Sequence, residues 1–191
     1  MLVVTAAACL THDPGSGMPE QPARLRTVLQ RLATAGVPVA DAAPSPPEWL
    51  ATLHDPAYLQ DFEAMSRRGT GDYGPDCPVG PATWRATLAA AGAARAALAH
   101  ALDGQGNAFA AIRPPGHHAL RHGAMGFCYA NHIALLATEA RRAGRDRVLI
   151  VDWVGRLRTA FPSAPIVALM EGGYLPARLA NGVLATVEAL A

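Results

Sequence analysis

The adjacent histidines His117 and His118 follow Arg113-Pro114-Pro115-Gly116. Two imidazoles on an irregular Pro-Pro-Gly turn cannot both enter a core. They need polar partners, and a nearby carboxylate would raise the basicity of one of them. Such a pair can serve as general base and general acid, although a loop with two surface histidines would read the same. Two further segments carry polar chemistry. Asp152 closes the apolar run Val148–Val151, and Glu171-Gly172-Gly173-Tyr174 follows the apolar run Ile166–Met170. Asp152 suits either an orienting carboxylate or a helix cap. The glycine pair permits a sharp bend, and the Tyr174 phenol could donate to a developing oxyanion or simply pack in a turn.

These residues need a scaffold, and the apolar runs supply one. Leu2–Thr5, Ala108–Ile112, Val148–Asp152 and Ile166–Met170 have strand length, and the last three lack alternation, as strands covered on both faces do. Helical spacing marks Pro22–Ala35, Pro56 to about Arg68 after an Asp55 cap, Ala82–Leu102, and a segment from Cys128 or Ala130 to Ala143. Val37–Pro47 reads as a surface connection and the segment 69–81 as a loop. Strands separated by helices imply a three-layer αβα fold, class α/β, with a mainly parallel sheet. Ligands gather beyond the carboxyl ends of such strands. The three motifs fall there.

Composition narrows the possibilities. The chain has 191 residues, net charge +1 and 16% charged residues, which suits one domain with a real core. All 16 basic residues are arginines, dispersed among acids, so no direct nucleic-acid partner is expected. The three cysteines Cys9, Cys77 and Cys128 form neither a disulfide framework nor a zinc ribbon. No apolar stretch spans a membrane, and the N-terminal run lacks a basic residue ahead of it, although Ala6–Ala8 leave a signal peptide open. The expected setting is the cytoplasm. Cys128 reads as a small buried residue, not a nucleophile, and His12, His100, His122 and His132 as surface or loop residues. No Gly-x-Ser-x-Gly elbow exists, and Gly104-Gln105-Gly106 is no dinucleotide fingerprint.

Arg113–His118, followed by Gly126-Phe127-Cys128-Tyr129-Ala130-Asn131, resembles the signature of the histone deacetylase and acetylpolyamine amidohydrolase superfamily. Met18-Pro19-Glu20-Gln21-Pro22-Ala23-Arg24, Leu53–Leu59, Asp76–Pro78, Val148–Trp153 and Glu171–Tyr174 resemble further family motifs in the same order. Met18 replaces a family histidine. The resemblance implies an arginase-like αβα fold and zinc-dependent removal of acyl groups from acetylated amines. By position, His117 and His118 would be the tandem acid/base residues, Asp152 would orient the first, and Tyr174 would polarise the acyl carbonyl. Gly126 and Phe127 would wall the acyl tunnel, and Arg24 would lie deeper in the site.

One part of the family pattern is missing. Members read Asp-x-Asp-x-His at the strand carrying Asp152, with the second Asp and the His on the metal and a later Asp as third ligand. Here Val154 and Arg156 occupy the first two places, and beyond Asp152 the chain has no Asp, His or Cys. Only Glu171 and Glu188 remain as anionic candidates. Nineteen positions separate Asp152 from Glu171, where the family has several strand–helix units of roughly 30 residues each. The chain therefore reads as one truncated domain, residues 1–153 and a C-terminal family segment 154–191, with a large internal deletion and no metal ligands. Three readings follow: an inactive deacetylase-like chain, an interaction or acyl-amine-binding module, or a hydrolase with an improvised site on His117, His118 and Glu171. Exposed sheet edges also imply self-association.

Overall fold

The structure is a computed structural model and describes residues 1–151 and 164–191. Among these, four strands form one parallel sheet: β1 (Leu2–Thr5), β2 (Ala40–Asp41), β3 (Ala108–Ala110) and β4 (Val167–Leu169). Their order is β2-β1-β3-β4, with Val3 opposite Phe109 and Phe109 opposite Ala168. Helices cover both faces, as the α/β reading requires. The principal ones are α1 (Pro22–Thr34), α3 (Pro56–Arg68), α4 (Thr83–Leu102), α5 (His132–Arg142) and α6 (Pro176–Leu190); a single turn, α2 (Pro47–Leu50), precedes α3. No described helix is long and apolar enough to cross a membrane.

Local signals explain where these helices start. The Asp55 carboxylate accepts the Ala57 N–H at 2.8 Å, and Pro56 opens α3, where its missing N–H costs nothing. Gly69 closes the same helix in the left-handed region, φ +83°. On α1, Leu25, Val28 and Leu32 lie on one buried stripe; Val183, Leu184 and Val187 do the same on α6. These two helices pair with each other and tie the C-terminal segment to the N-terminal one. Helix α4 lies across β1, β3 and β4 and buries a run of alanines against them. Small side chains let backbones approach closely. At Gly92 a Cβ would stand 2.0 Å from the Ala43 carbonyl oxygen, while Ser45 N–H donates to the Leu88 carbonyl at 2.9 Å.

Two sequence expectations need correction. Ala40–Asp41, inside the stretch read as a surface connection, pairs with β1 as a short edge strand. Conversely, Val148–Val151 is no strand: it runs without regular structure, with Leu149 66% exposed. A strand needs a neighbour to take its N–H and C=O groups. The far side of β3 is taken by β4, which leaves this run none among the described residues. Asp152 itself, Trp153, Val154 and Arg156 lie outside the described residues.

Candidate acid–base site

The rim forms where β3 and β4 end side by side. Beyond β3, Arg113 is fully buried and starts the turn through a cis Arg113–Pro114 bond. Its guanidinium donates to both Glu20 oxygens, at 2.9 and 2.6 Å, and to the carbonyls of Cys9 and His12 at 2.9 and 2.7 Å. The turn then brings Gly116 hard against the start of α5, where a Cβ would lie 2.5 Å from the Ala130 carbonyl oxygen. His117 emerges half-buried and His118 exposed, their rings 4.0 Å apart and nearly perpendicular at 84°. The two imidazoles are thus together on one rim.

Glu171 reaches the same turn from β4. Its Oε2 accepts the Gly116 N–H at 2.7 Å and the His117 N–H at 3.4 Å, and stands 3.7 Å from His117 Nδ1. A carboxylate there fixes the turn by taking its backbone donors. Next come Gly172 and Gly173, then Tyr174, whose ring meets Phe127 edge to face at 5.6 Å. Phe127 holds the left-handed region, φ +65°, an unusual conformation for a residue with a Cβ. At Gly126 before it a Cβ would lie 2.7 Å from the His118 ring, and the Gly126 N–H donates to Asp76 Oδ2 at 2.8 Å. Burial raises the Tyr174 phenol above its ordinary range, against the opposing pull of Arg24, so at neutral pH it is a donor.

Arg24 holds this second half in place. Its Nε donates to Gly173 O at 2.7 Å, its Nη2 to Gly172 O at 2.7 Å and to Glu171 O, and its Nη1 to Glu20 at 2.7 Å. The guanidinium also lies 4.9 Å from the centre of the Tyr174 ring. Arg24 is completely buried, and with these acceptors engaged its side chain clamps the 171–174 turn.

Other expectations resolve individually. Cys128 is buried, its thiol pushed up to about 12 chiefly by burial, which suits an unreactive packing residue. His122 is exposed and His100 partly so, but His12 and His132 are not surface residues; both are fully enclosed. His12 binds Thr83 Oγ1 at 3.1 Å beside Glu20, whereas neither ring nitrogen of His132 makes a hydrogen bond among the described residues. Sequence reasoning overlooked Glu20 as the hub joining two arginines, as well as His54 and Asn131. The Glu20-to-Arg24 spacing of one helical turn was the available signal for the first. Among the described residues no cluster of three His, Cys, Asp or Glu side chains is arranged to hold a metal ion.

A parallel αβα sheet with paired imidazoles and a tyrosine at its carboxyl rim defines the class. Residues 18–153 match the histone deacetylase domain, and the chain belongs to that family. It is 40% identical over 138 residues to the histone deacetylase-like amidohydrolase of Pseudomonas aeruginosa, covering 71% of this chain and 36% of that protein. The crystal structure of the HDA15 HD domain superposes with a TM-score of 0.75 at 29% identity, over 89% of this chain and 52% of that one. Acetylpolyamine aminohydrolase from Burkholderia pseudomallei gives 0.65 at 28%, over 75% and 53%. The chain thus spans about half or less of the length of these relatives.

Proposed function

We propose that this chain keeps the acid–base and carbonyl-polarising half of a zinc-dependent deacetylase site and, alone, does not hydrolyse acetylated amines. His117 and His118 would exchange protons with water and the leaving amine, Asp152 would orient His117, and Tyr174 would donate to the acyl oxygen beside Phe127 and Gly126. The observation that carries the reading is Val154 at the family's first metal-ligand position, with no Asp, His or Cys after Asp152.

Energetics support this reading. A bound zinc ion lowers the pKa of water from about 15.7 to about 7, on the order of 12 kcal/mol toward hydroxide at neutral pH. An imidazole pair contributes roughly 10²–10⁴-fold, about 3–5 kcal/mol. It cannot replace the ion. An improvised site would need Glu171, yet its Oε2 already accepts two backbone N–H groups. We expect less than stoichiometric zinc by mass spectrometry after dialysis, and no hydrolysis of an acetyl-lysine peptide or an acetylated polyamine above the buffer rate. Zinc retained one-to-one together with turnover would overturn the reading. Calorimetric binding of an acetylated polyamine, lost on Phe127→Ala or Tyr174→Ala, would favour a binding module instead.

The same truncation bears on assembly. Among the described residues β4 has no strand on its outer side, and Val148–Val151 exposes four consecutive apolar residues. Open edges and apolar runs of this kind favour association between copies. Sedimentation velocity should show a mass that rises with protein concentration in the micromolar range. A monomer throughout that range, melting in one sharp transition, would contradict this.

A further inference from the structure

Outside the acid–base pair, His54 is the titratable group most closely tied to the loop that carries it. This side chain is 1% exposed, at the entrance to α3. Both ring nitrogens are engaged with that loop: Nδ1 lies 2.9 Å from the Leu120 carbonyl, and Nε2 lies 2.9 Å from the Asn131 amide nitrogen. A backbone N–H can only donate and a carbonyl can only accept. The ring must therefore be neutral, with its proton on Nδ1 and a lone pair on Nε2.

Asn131 passes the connection to the imidazoles. Its Oδ1 accepts the Ala134 N–H at 3.1 Å and caps α5, which fixes the amide orientation. Its Nδ2 then donates to the carbonyls of His117 and Ala119 at 3.2 and 3.1 Å. A second tie, Asp55 N–H to the Arg121 carbonyl at 2.9 Å, lies beside the first.

We infer that His54 is a positioning residue: as a neutral Nδ1–H tautomer it latches Asn131, and through Asn131 the backbone of His117, and its protonation releases the latch. A proton on Nε2 would set one N–H against another, and the Asn131 donor would lose its acceptor in a buried place. The inference concerns the geometry of the pair and holds whether or not the chain hydrolyses anything. Burial keeps the His54 imidazole below its ordinary range and the Arg121 charge adds to that, while its hydrogen bonds to the loop backbone oppose it. The other titratable groups around it are the buried His132 on α5, Tyr58 on α3 with its ring 6.0 Å away, and the Asp55–His122 pair. None of these supplies a carboxylate bonded to the ring. Release therefore belongs to acid, below the usual histidine range.

The test uses the whole chain. Nitrogen-15 imidazole spectra at pH 7.5 should show His54 as the Nδ1–H tautomer, and the protection of the Asn131 amide should fall about tenfold or more as His54 titrates in acid. His54→Gln can place a carbonyl oxygen near the Nε2 position and accept from Asn131, whereas His54→Asn reaches only the Nδ1 position. The Gln variant should keep Asn131 protection and a wild-type His117 ring spectrum, with no acid step from this position; the Asn variant should lose both. An Nε2–H tautomer, or Asn131 protection that ignores the His54 titration, overturns the proposal. So do equal spectra for the two variants. Should neither variant fold, the tautomer and titration of the unaltered chain decide alone.

Discussion

Glu20→Gln is expected to leave the chain largely unfolded at room temperature. The Glu20 carboxylate is fully buried and faces two equally buried guanidinium groups, Arg24 at 2.7 Å and Arg113 at 2.6 Å. Burial alone would raise its pKa, yet the hydrogen bonds and charge of Arg113 and the charge of Arg24 hold it below the usual carboxylate range. The cluster already carries one more cation than anion. Neutralising the single carboxylate strands two buried positive charges, and breaking such a pair costs about 3–5 kcal/mol. A domain of this size holds roughly 5–15 kcal/mol in total, and Val148–Val151 has no strand partner among the described residues. Arg24 would also lose the anchor that orients it under the Glu171–Gly173 carbonyls, so Tyr174 would loosen with it. Circular dichroism and thermal melts check the expectation. A variant melting within about 4 °C of the parent, about 1 kcal/mol, would refute it.

Mild acid is expected to destabilise the chain nearly as strongly. Burial brings His12 down to about 4, against the opposing pull of Glu20, and brings His132 down to about 3. Unfolded, both titrate near 6.5. Between these values the unfolded chain binds more protons than the folded one, so stability is whole above about pH 6.5 and is lost as pH falls toward 4 and then 3. At pH 5 each histidine forfeits about 1.5 pKa units, on the order of 4 kcal/mol for the two together. His54 adds to the same slope. Urea unfolding at pH 7.5 and pH 5 measures it, and a midpoint unchanged between them would remove the basis of the prediction. His132→Asn should flatten part of the slope, because it deletes a titrating ring that has no hydrogen-bond partner among the described residues.

Much of this architecture was legible because its signals are local. Asp55 and Pro56 announce α3, Gly69 ends it, and the helical spacing of Pro22–Ala35 announces α1. The rim was legible for a different reason: His117, His118 and Tyr174 follow apolar runs, and parallel sheets collect chemistry at that end. What escaped depended on partners distant in the chain. Val148–Val151 has the composition of a strand, but a strand forms only beside another, and no composition reveals whether one is there. His12 and His132 carry no periodic mark of burial; the groups enclosing His12 include Thr83, 71 residues away. Glu20 announced Arg24 by spacing, yet its bond to Arg113 crosses 93 residues. The clamp that Arg24 places on the 171–174 turn also escaped, because its acceptors are main-chain carbonyls, which no side-chain pattern encodes.

The direct pairing of β3 with β4 has a consequence for descent. The imidazoles leave one strand and the phenol leaves its immediate neighbour, so their spacing is set by a single ladder, Ala108 to Val167 through Ala110 to Leu169. Whatever length of polypeptide connects those two strands can grow or shrink by whole units while the seam between them stays shut. Lineages could therefore gain or shed large inserts at that point and still inherit an aligned proton-handling edge.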